Sequence, residues 1–181
     1  MTEMYPSAEP FTVDAGGLTV ADAARVIALR SRAVAEELAG SGAMAAIGLG
    51  AESIRLPDGV VVAAVNAPES VVVSGAPDAV QALVDDCERD GVWARRIPVD
   101  YASHSPQVAA LRARIAADLA DIAPRSGRVP MVSTVTGAPI DTAALDAEYW
   151  YRGLREPVRF ADVIARLDGS FIEVSPNPGL V

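Results

Sequence analysis

The 181-residue sequence holds a single histidine, His104, inside the stretch RIPVDYASHSPQ at 96–107. Imidazole is the side chain whose ordinary pKa lies nearest neutrality, so it can take a proton from a hydroxyl or thiol and return it at physiological pH. A strand pattern at 92–99 runs into this stretch and an amphipathic helix pattern at 107–122 runs out of it. His104 therefore falls on a strand-to-helix loop, where a rigid frame often carries functional groups. A lone loop histidine is more often a solvated surface residue; its neighbours weigh against that reading here. The other reactive side chains offer less. Ser74, in VVVSGAP, comes at the end of a strand, and SGAP is not a nucleophile elbow. Cys87 shares a helix with Val80 and Leu83 and reads as core. Asp85, Asp86, Glu88 and Asp90 form an acidic cluster without metal-ligand spacing, and one histidine with one cysteine gives no zinc site. Arg95 and Arg96 read as solvated strand-end charges; as a binding pair they would meet an acidic protein or phosphates.

The elements that must position these groups follow from pattern. Thr19 is a candidate N-cap for a helix over 20–38, stopped by Gly40 and Gly42. Strands are expected at 44–49, 59–65, 70–74 and 92–99, with no more than a helical turn at 51–56 and a helix at 77–89. That order is a βαββαβ series, the split arrangement of a ferredoxin-like unit. After the histidine loop come the helix at 107–122, a strand at 129–136, a short helix within 141–150, a break at Glu156-Pro157, a helix at 159–167 and a strand at 170–174.

Composition narrows the class. The chain is long enough for one domain with a sizeable core, 51% hydrophobic with 5% aromatic residues, so the core is aliphatic. A net charge of −9 argues against nucleic acid or an anionic membrane as partner. One cysteine excludes an internal disulfide and suits a reducing, cytoplasmic setting. The sequence has no apolar run of membrane-spanning length and no signal-peptide pattern.

Several blocks taken together carry a family resemblance: GLTVADAARVIALRSRAV, VVAAVNAPESVVVSG, RRIPVDYASHSPQV, VPMVSTVTGAPID, AEYWYRGLREPVRFADVI and FIEVSPNPGLV. In order and content they resemble the C-terminal part of the acyltransferase domains of modular type I polyketide synthases, the malonyl- or methylmalonyl-CoA:acyl carrier protein transacylases. The resemblance implies an α/β fold: part of an α/β-hydrolase-like lobe, here 1–41 and 99–181, with a ferredoxin-like βαββαβ subdomain at 42–98 and the site in the cleft between them.

The chemistry the resemblance implies is a two-step acyl transfer. A serine attacks the thioester of an acyl-CoA, a histidine takes its proton and later activates the carrier protein's thiol, and an arginine pairs with the free carboxylate of the malonyl group. The family's histidine falls on His104. Its carboxylate-binding arginine falls on Arg30, which without the resemblance would read as an exposed helix arginine. Tyr101, Ala102 and Ser103 match the triplet associated with methylmalonyl selection; a small residue at 102 and a modest one at 103 leave room for a methyl group. No cofactor is implied. Acyl-CoA is the substrate, phosphopantetheine rides on the partner acyl carrier protein, and other polyketide synthase domains, or a chain supplying a missing half, are the further partners.

The departures bear on activity. The family's nucleophile sits in G-x-S-x-G, and this sequence has none. Where the elbow would fall the chain reads EMYPSA; Ser7 is the only serine there, and Pro6 and Ala8 do not flank it as glycines would. Gly153 stands where the family has asparagine, and SPNP where it has SPHP. The expectation is a truncated acyltransferase, impaired alone, or a degenerate remnant acting as a structural or carrier-binding module.

Overall fold

The structure, a computed structural model, describes residue 13 and residues 15–173. Thr19 opens the helix that follows it, as expected: the hydroxyl accepts from the Asp22 amide at 3.0 Å and donates to the Asp22 carboxylate at 2.8 Å, satisfying one of the amides a helix start leaves free. This helix, α1, covers Val20–Glu37 and buries Ala23, Val26 and Ala33.

Strands β1 (Ala43–Ile47), β2 (Val61–Ala67), β3 (Ser70–Gly75) and β4 (Ala94–Ile97) form a four-stranded sheet in the order β2-β3-β1-β4, every pair antiparallel. Helix α2, Pro77–Arg89, covers one face, with Pro77 in its first turn where the missing N–H costs nothing. Val80, Leu83, Val84 and Cys87 pack there with Ile47, Val71 and Val73. Each large apolar side chain so buried contributes about 1.5–3 kcal/mol.

Three expectations change in this unit. The first helix of the βαββαβ series is absent: residues 51–53 form only a turn, with the Ser53 amide donating to the Gly50 carbonyl, because the stretch between Gly50 and Pro57 is too short to nucleate a helix. The strand expected at 92–99 contracts to Ala94–Ile97, since Pro98 has no N–H for the ladder. Arg95 and Arg96 lie in the middle of β4 rather than at its end, while Ser74 lies in β3 as the strand expected at 70–74 has it.

A second apolar cluster joins α1 to the segment after the sheet. Val26, Ala33 and Leu38 meet Val108, Leu111, Ile115, Leu119, Leu145 and Trp150. The helix expected at 107–122 starts one residue early as a 3-10 turn, Pro106–Leu111, and becomes α3 only over Arg112–Asp118. The strand expected at 129–136 ends at 133. There the Ser133 hydroxyl accepts from the Val135 and Thr136 amides at 3.1 and 3.3 Å, and Gly137, at φ +70°, turns β5 (Met131–Ser133) into β6 (Ala138–Ile140). Within 141–155 a 3-10 turn at Thr142–Ala144 precedes helix α4, Ala147–Arg155, which Asp146 caps. The last helix, α5, is Phe160–Ile164, shorter than expected. Residues 170–173 form no strand, having no strand partner among the described residues; residue 174 lies outside them.

The two clusters meet through backbone. Val158 forms a parallel bridge to β2: its amide donates to the Ala63 carbonyl at 2.8 Å, and its carbonyl accepts from the Val65 amide at 3.0 Å. At the other end of the sheet Gly42 touches the histidine loop. A Cβ there would lie 2.2 Å from the Ala102 nitrogen, so only glycine allows this approach. No helix among the described residues is long and apolar enough to cross a membrane.

Candidate active site

His104 is the one non-glycine residue with positive φ among the described residues, at +56°. That conformation is uncommon for a residue with a Cβ, and histidine tolerates it better than most. Two contacts hold it. The His104 amide donates to the Leu154 carbonyl at 2.7 Å, and ring Nδ1 lies 2.7 Å from the Glu156 carbonyl. A carbonyl only accepts, so Nδ1 carries the proton and Nε2 of the neutral ring is the acceptor. Both carbonyls belong to the C-terminal end of α4, where a helix leaves its last carbonyls unpaired.

Burial pushes the imidazole pKa below its ordinary value of 6.5; the Glu156 carbonyl works against this and the positive charge of Arg30 adds to it. The ring is therefore neutral near pH 7 and able to act as a base. The Glu156 carboxylate turns back along α4 to Arg152, whose Nε and Nη2 lie at 2.6 and 3.1 Å, and this pairing holds the carboxyl below the usual range.

Arg30 projects from the middle of α1. Its guanidinium carbon lies 5.7 Å from the centroid of the Trp150 ring. Trp150 is on α4, so the cation and the base both refer to one helix, and the cation is near enough to act on the imidazole charge. A neutral imidazole with a free Nε2 beside a guanidinium can remove a proton while the cation binds an anionic part of the same substrate.

The remaining candidates divide. Tyr101 is half-buried against the larger cluster, while Ala102 and Ser103 are buried. The small side chain at Ala102 has a packing reason, since a Cβ on Gly42 would lie 2.6 Å from its own Cβ. Ser7 lies outside the described residues. Cys87 is buried, with its thiol pushed up by burial and by the Asp86 and Asp90 charges, so it is core. Arg96 is directed to α2, reaching Gln81 Oε1 at 3.3 Å, and Arg95 is exposed.

Two contributors escaped the sequence reading. The Ser105 hydroxyl, 1% exposed, donates to the Ala102 carbonyl at 2.7 Å and accepts from the Gln107 amide at 3.2 Å, closing the histidine loop. Serine followed by proline before an apolar periodic run is an N-cap signal and would have found it. The Glu156 carbonyl has no side-chain signature.

The model of the family described as the acyl transferase domain matches residues 12–181. The chain belongs to the acyl transferase domain family. NorA', a spectinabilin polyketide synthase system protein of Streptomyces orinoci, is 57% identical over 176 residues, which are 92% of this chain and 5% of that protein. Erythronolide synthase EryA2 of Saccharopolyspora erythraea is 49% identical over the same share of this chain and 5% of its own length. Among solved structures, the acyltransferase domain from module 8 of the salinomycin polyketide synthase superposes with a TM-score of 0.87 at 48% identity, covering 93% of this chain and 42% of that one. A loading acyltransferase from the avermectin modular polyketide synthase gives 0.88 at 39% identity, covering 97% and 59%. This acyl transferase chain thus spans a small part of its curated relatives and roughly half of the solved domains. Its α/β architecture is that of the polyketide synthase acyltransferase domains.

Proposed function

We propose that this chain takes part in acyl transfer in polyketide biosynthesis, moving a (methyl)malonyl-type extender unit from CoA to the phosphopantetheine thiol of an acyl carrier protein. His104 is the base and Arg30 holds the free carboxylate. The observation that carries this reading is the 2.7 Å contact of Nδ1 with the Glu156 carbonyl, which leaves Nε2 as the basic nitrogen. In the first half-reaction Nε2 takes the proton of an attacking serine as the CoA thiolate leaves, and the leaving thiolate recovers a proton from the imidazolium. In the second, the same nitrogen takes the proton of the carrier thiol as its sulfur attacks the serine ester, and the imidazolium returns that proton to the departing serine oxygen. The Tyr101-Ala102-Ser103 triplet supports a methylmalonyl preference; one methyl is worth about 1–3 kcal/mol, so the triplet would tune selection rather than decide it alone. The antiparallel strand order supports reading 42–98 as a ferredoxin-like subdomain against flanking parts of the larger lobe.

A second reading rests on the lack of G-x-S-x-G in these 181 residues. On this reading the chain is a carrier-binding or structural module without turnover of its own, unless Ser7 or another chain supplies the nucleophile. Intact mass after incubation with methylmalonyl-CoA and carrier protein separates the two. The first reading expects an acyl adduct on the chain and an acylated carrier, both lost in His104→Ala. The second expects neither from folded protein, with carrier binding retained.

A further inference from the structure

We infer that the sheet face opposite α2 holds the nucleotide half of an acyl-CoA, with Trp93 stacking on its adenine and Arg95 meeting its diphosphate; this rests on the reading of acyl-CoA as the substrate. Side chains alternate along a strand. Ala43, Ala45 and Ile47 of β1 pack with α2, so Met44 and Ala46 point to the other face. Gly42 and Gly48 continue that alternation at either end, where their amides donate to the Asp100 and Trp93 carbonyls at 3.2 and 2.8 Å. A Cβ on Gly42 would strike the Ala102 nitrogen of the histidine loop; one on Gly48 would lie 3.5 Å from Cβ of Trp93 and 3.9 Å from its ring. The histidine loop and Trp93 therefore share one face, about 20 Å apart along the strand direction.

Between the two ends, β4 sets Ile97 opposite Met44 and Arg95 opposite Ala46. Arg96, on the α2 side, is committed to Gln81 Oε1 and the Pro77 carbonyl. Arg95 is exposed and makes no side-chain hydrogen bond or ion pair among the described residues. Tryptophan is highly buried on average, yet Trp93 is 61% exposed. From the histidine loop outward the face thus offers apolar surface, then a cation, then an aromatic ring. An acyl-CoA reads in the same order from its thioester: an uncharged pantetheine arm, a diphosphate, an adenine. The lengths agree as well. Arg95, opposite Ala46, stands about 14 Å along β1 from Gly42. The pantetheine arm measures about 16 Å from sulfur to phosphorus when extended. A guanidinium meets phosphate oxygens with parallel N–H donors, and a base stacks on indole through its π-face. The acidic surface of a protein would use the cation and leave the indole without a role.

The test is calorimetric binding of methylmalonyl-CoA and of methylmalonyl-pantetheine, which lacks the nucleotide, to the full chain and to Trp93→Ala, Trp93→Phe and Arg95→Gln. The wild type is expected to prefer methylmalonyl-CoA. Trp93→Ala is expected to weaken methylmalonyl-CoA binding roughly tenfold and Arg95→Gln roughly fivefold, with methylmalonyl-pantetheine binding unchanged in both. Trp93→Phe, which keeps a smaller ring, is expected to fall between wild type and Trp93→Ala. A variant that binds methylmalonyl-CoA as the wild type does strikes its residue from the site, and the acyl-CoA reading stands. A wild type that binds the two ligands equally overturns the nucleotide site and likewise spares that reading; one that binds neither removes both. ATP bound more tightly than methylmalonyl-CoA would make this face a site for a free nucleotide and overturn the assignment. Should Trp93→Ala fail to fold, tryptophan emission decides: methylmalonyl-CoA is expected to quench it in the wild type and not in Trp93→Phe, and an equal quench in both overturns the stacking.

Discussion

At His104 a left-handed backbone, a half-buried ring and a single carbonyl acceptor are imposed on one residue, and its protonation is tied to folding. The pKa is depressed in the folded state, so between the unfolded value near 6.5 and the lower folded value the unfolded chain binds more protons. Stability from this group is complete above about pH 6.5 and is lost as pH falls through the folded pKa. The urea midpoint is expected to drop between pH 7.5 and 5.5 by more in the wild type than in His104→Asn, chosen because asparagine accepts positive φ. Equal drops would mean that other groups govern the acid limb. None of this strain was visible in the sequence. The residue type was legible because there is one histidine, but its φ is fixed by Leu154 and Glu156, some fifty residues downstream.

At the level of elements, the histidine loop is held by local polar contacts more than by apolar burial. Ser105→Ala removes the hydrogen bond to the Ala102 carbonyl and the cap on the Gln107 amide, at an expected cost of about 1–2 kcal/mol. Chemical denaturation at pH 7.5 gives this directly, and a change under about 0.3 kcal/mol would show that backbone packing alone fixes the loop. Helix α2 was legible to the residue, because proline at its start and apolar spacing through Val80, Leu83, Val84 and Cys87 agree. The strand expected at 129–136 and the helix expected at 107–122 were misjudged for one shared reason. At Ser133 and at Ser105 a side-chain hydroxyl captures nearby amides, ending a strand in one case and opening a 3-10 turn in the other. Periodicity reads apolar faces and does not see such local competition.

Across the whole molecule, the helical cluster is tied within itself at the surface and joined to the sheet unit through backbone contacts. Arg114 on α3 reaches Glu36 and Glu37 on α1 at 2.7 and 2.9 Å, tying the two helices at the surface. Between Leu154 and Arg159 main-chain groups reach both neighbours: the carbonyls of Leu154 and Glu156 hold the histidine, Val158 pairs with β2, and the Arg159 amide donates to the Thr134 carbonyl at 2.9 Å. Val158→Pro removes the donor to Ala63 and is expected to cost about 1–3 kcal/mol and to perturb the His104 imidazole resonances, whereas Val158→Ile should do neither. Unmoved resonances in Val158→Pro would show that the site is insulated from the sheet. The family was legible because it is written in side chains; this seam was not, because it is written in chain path. Its consequence is one of inheritance. A carbonyl is supplied by every amino acid, so residue 156 is free to drift without releasing the imidazole. Glu156 sits at φ −87° and ψ 152°, the extended shape that the following Pro157 favours. Selection on the proton acceptor therefore acts one position away from the atom it preserves.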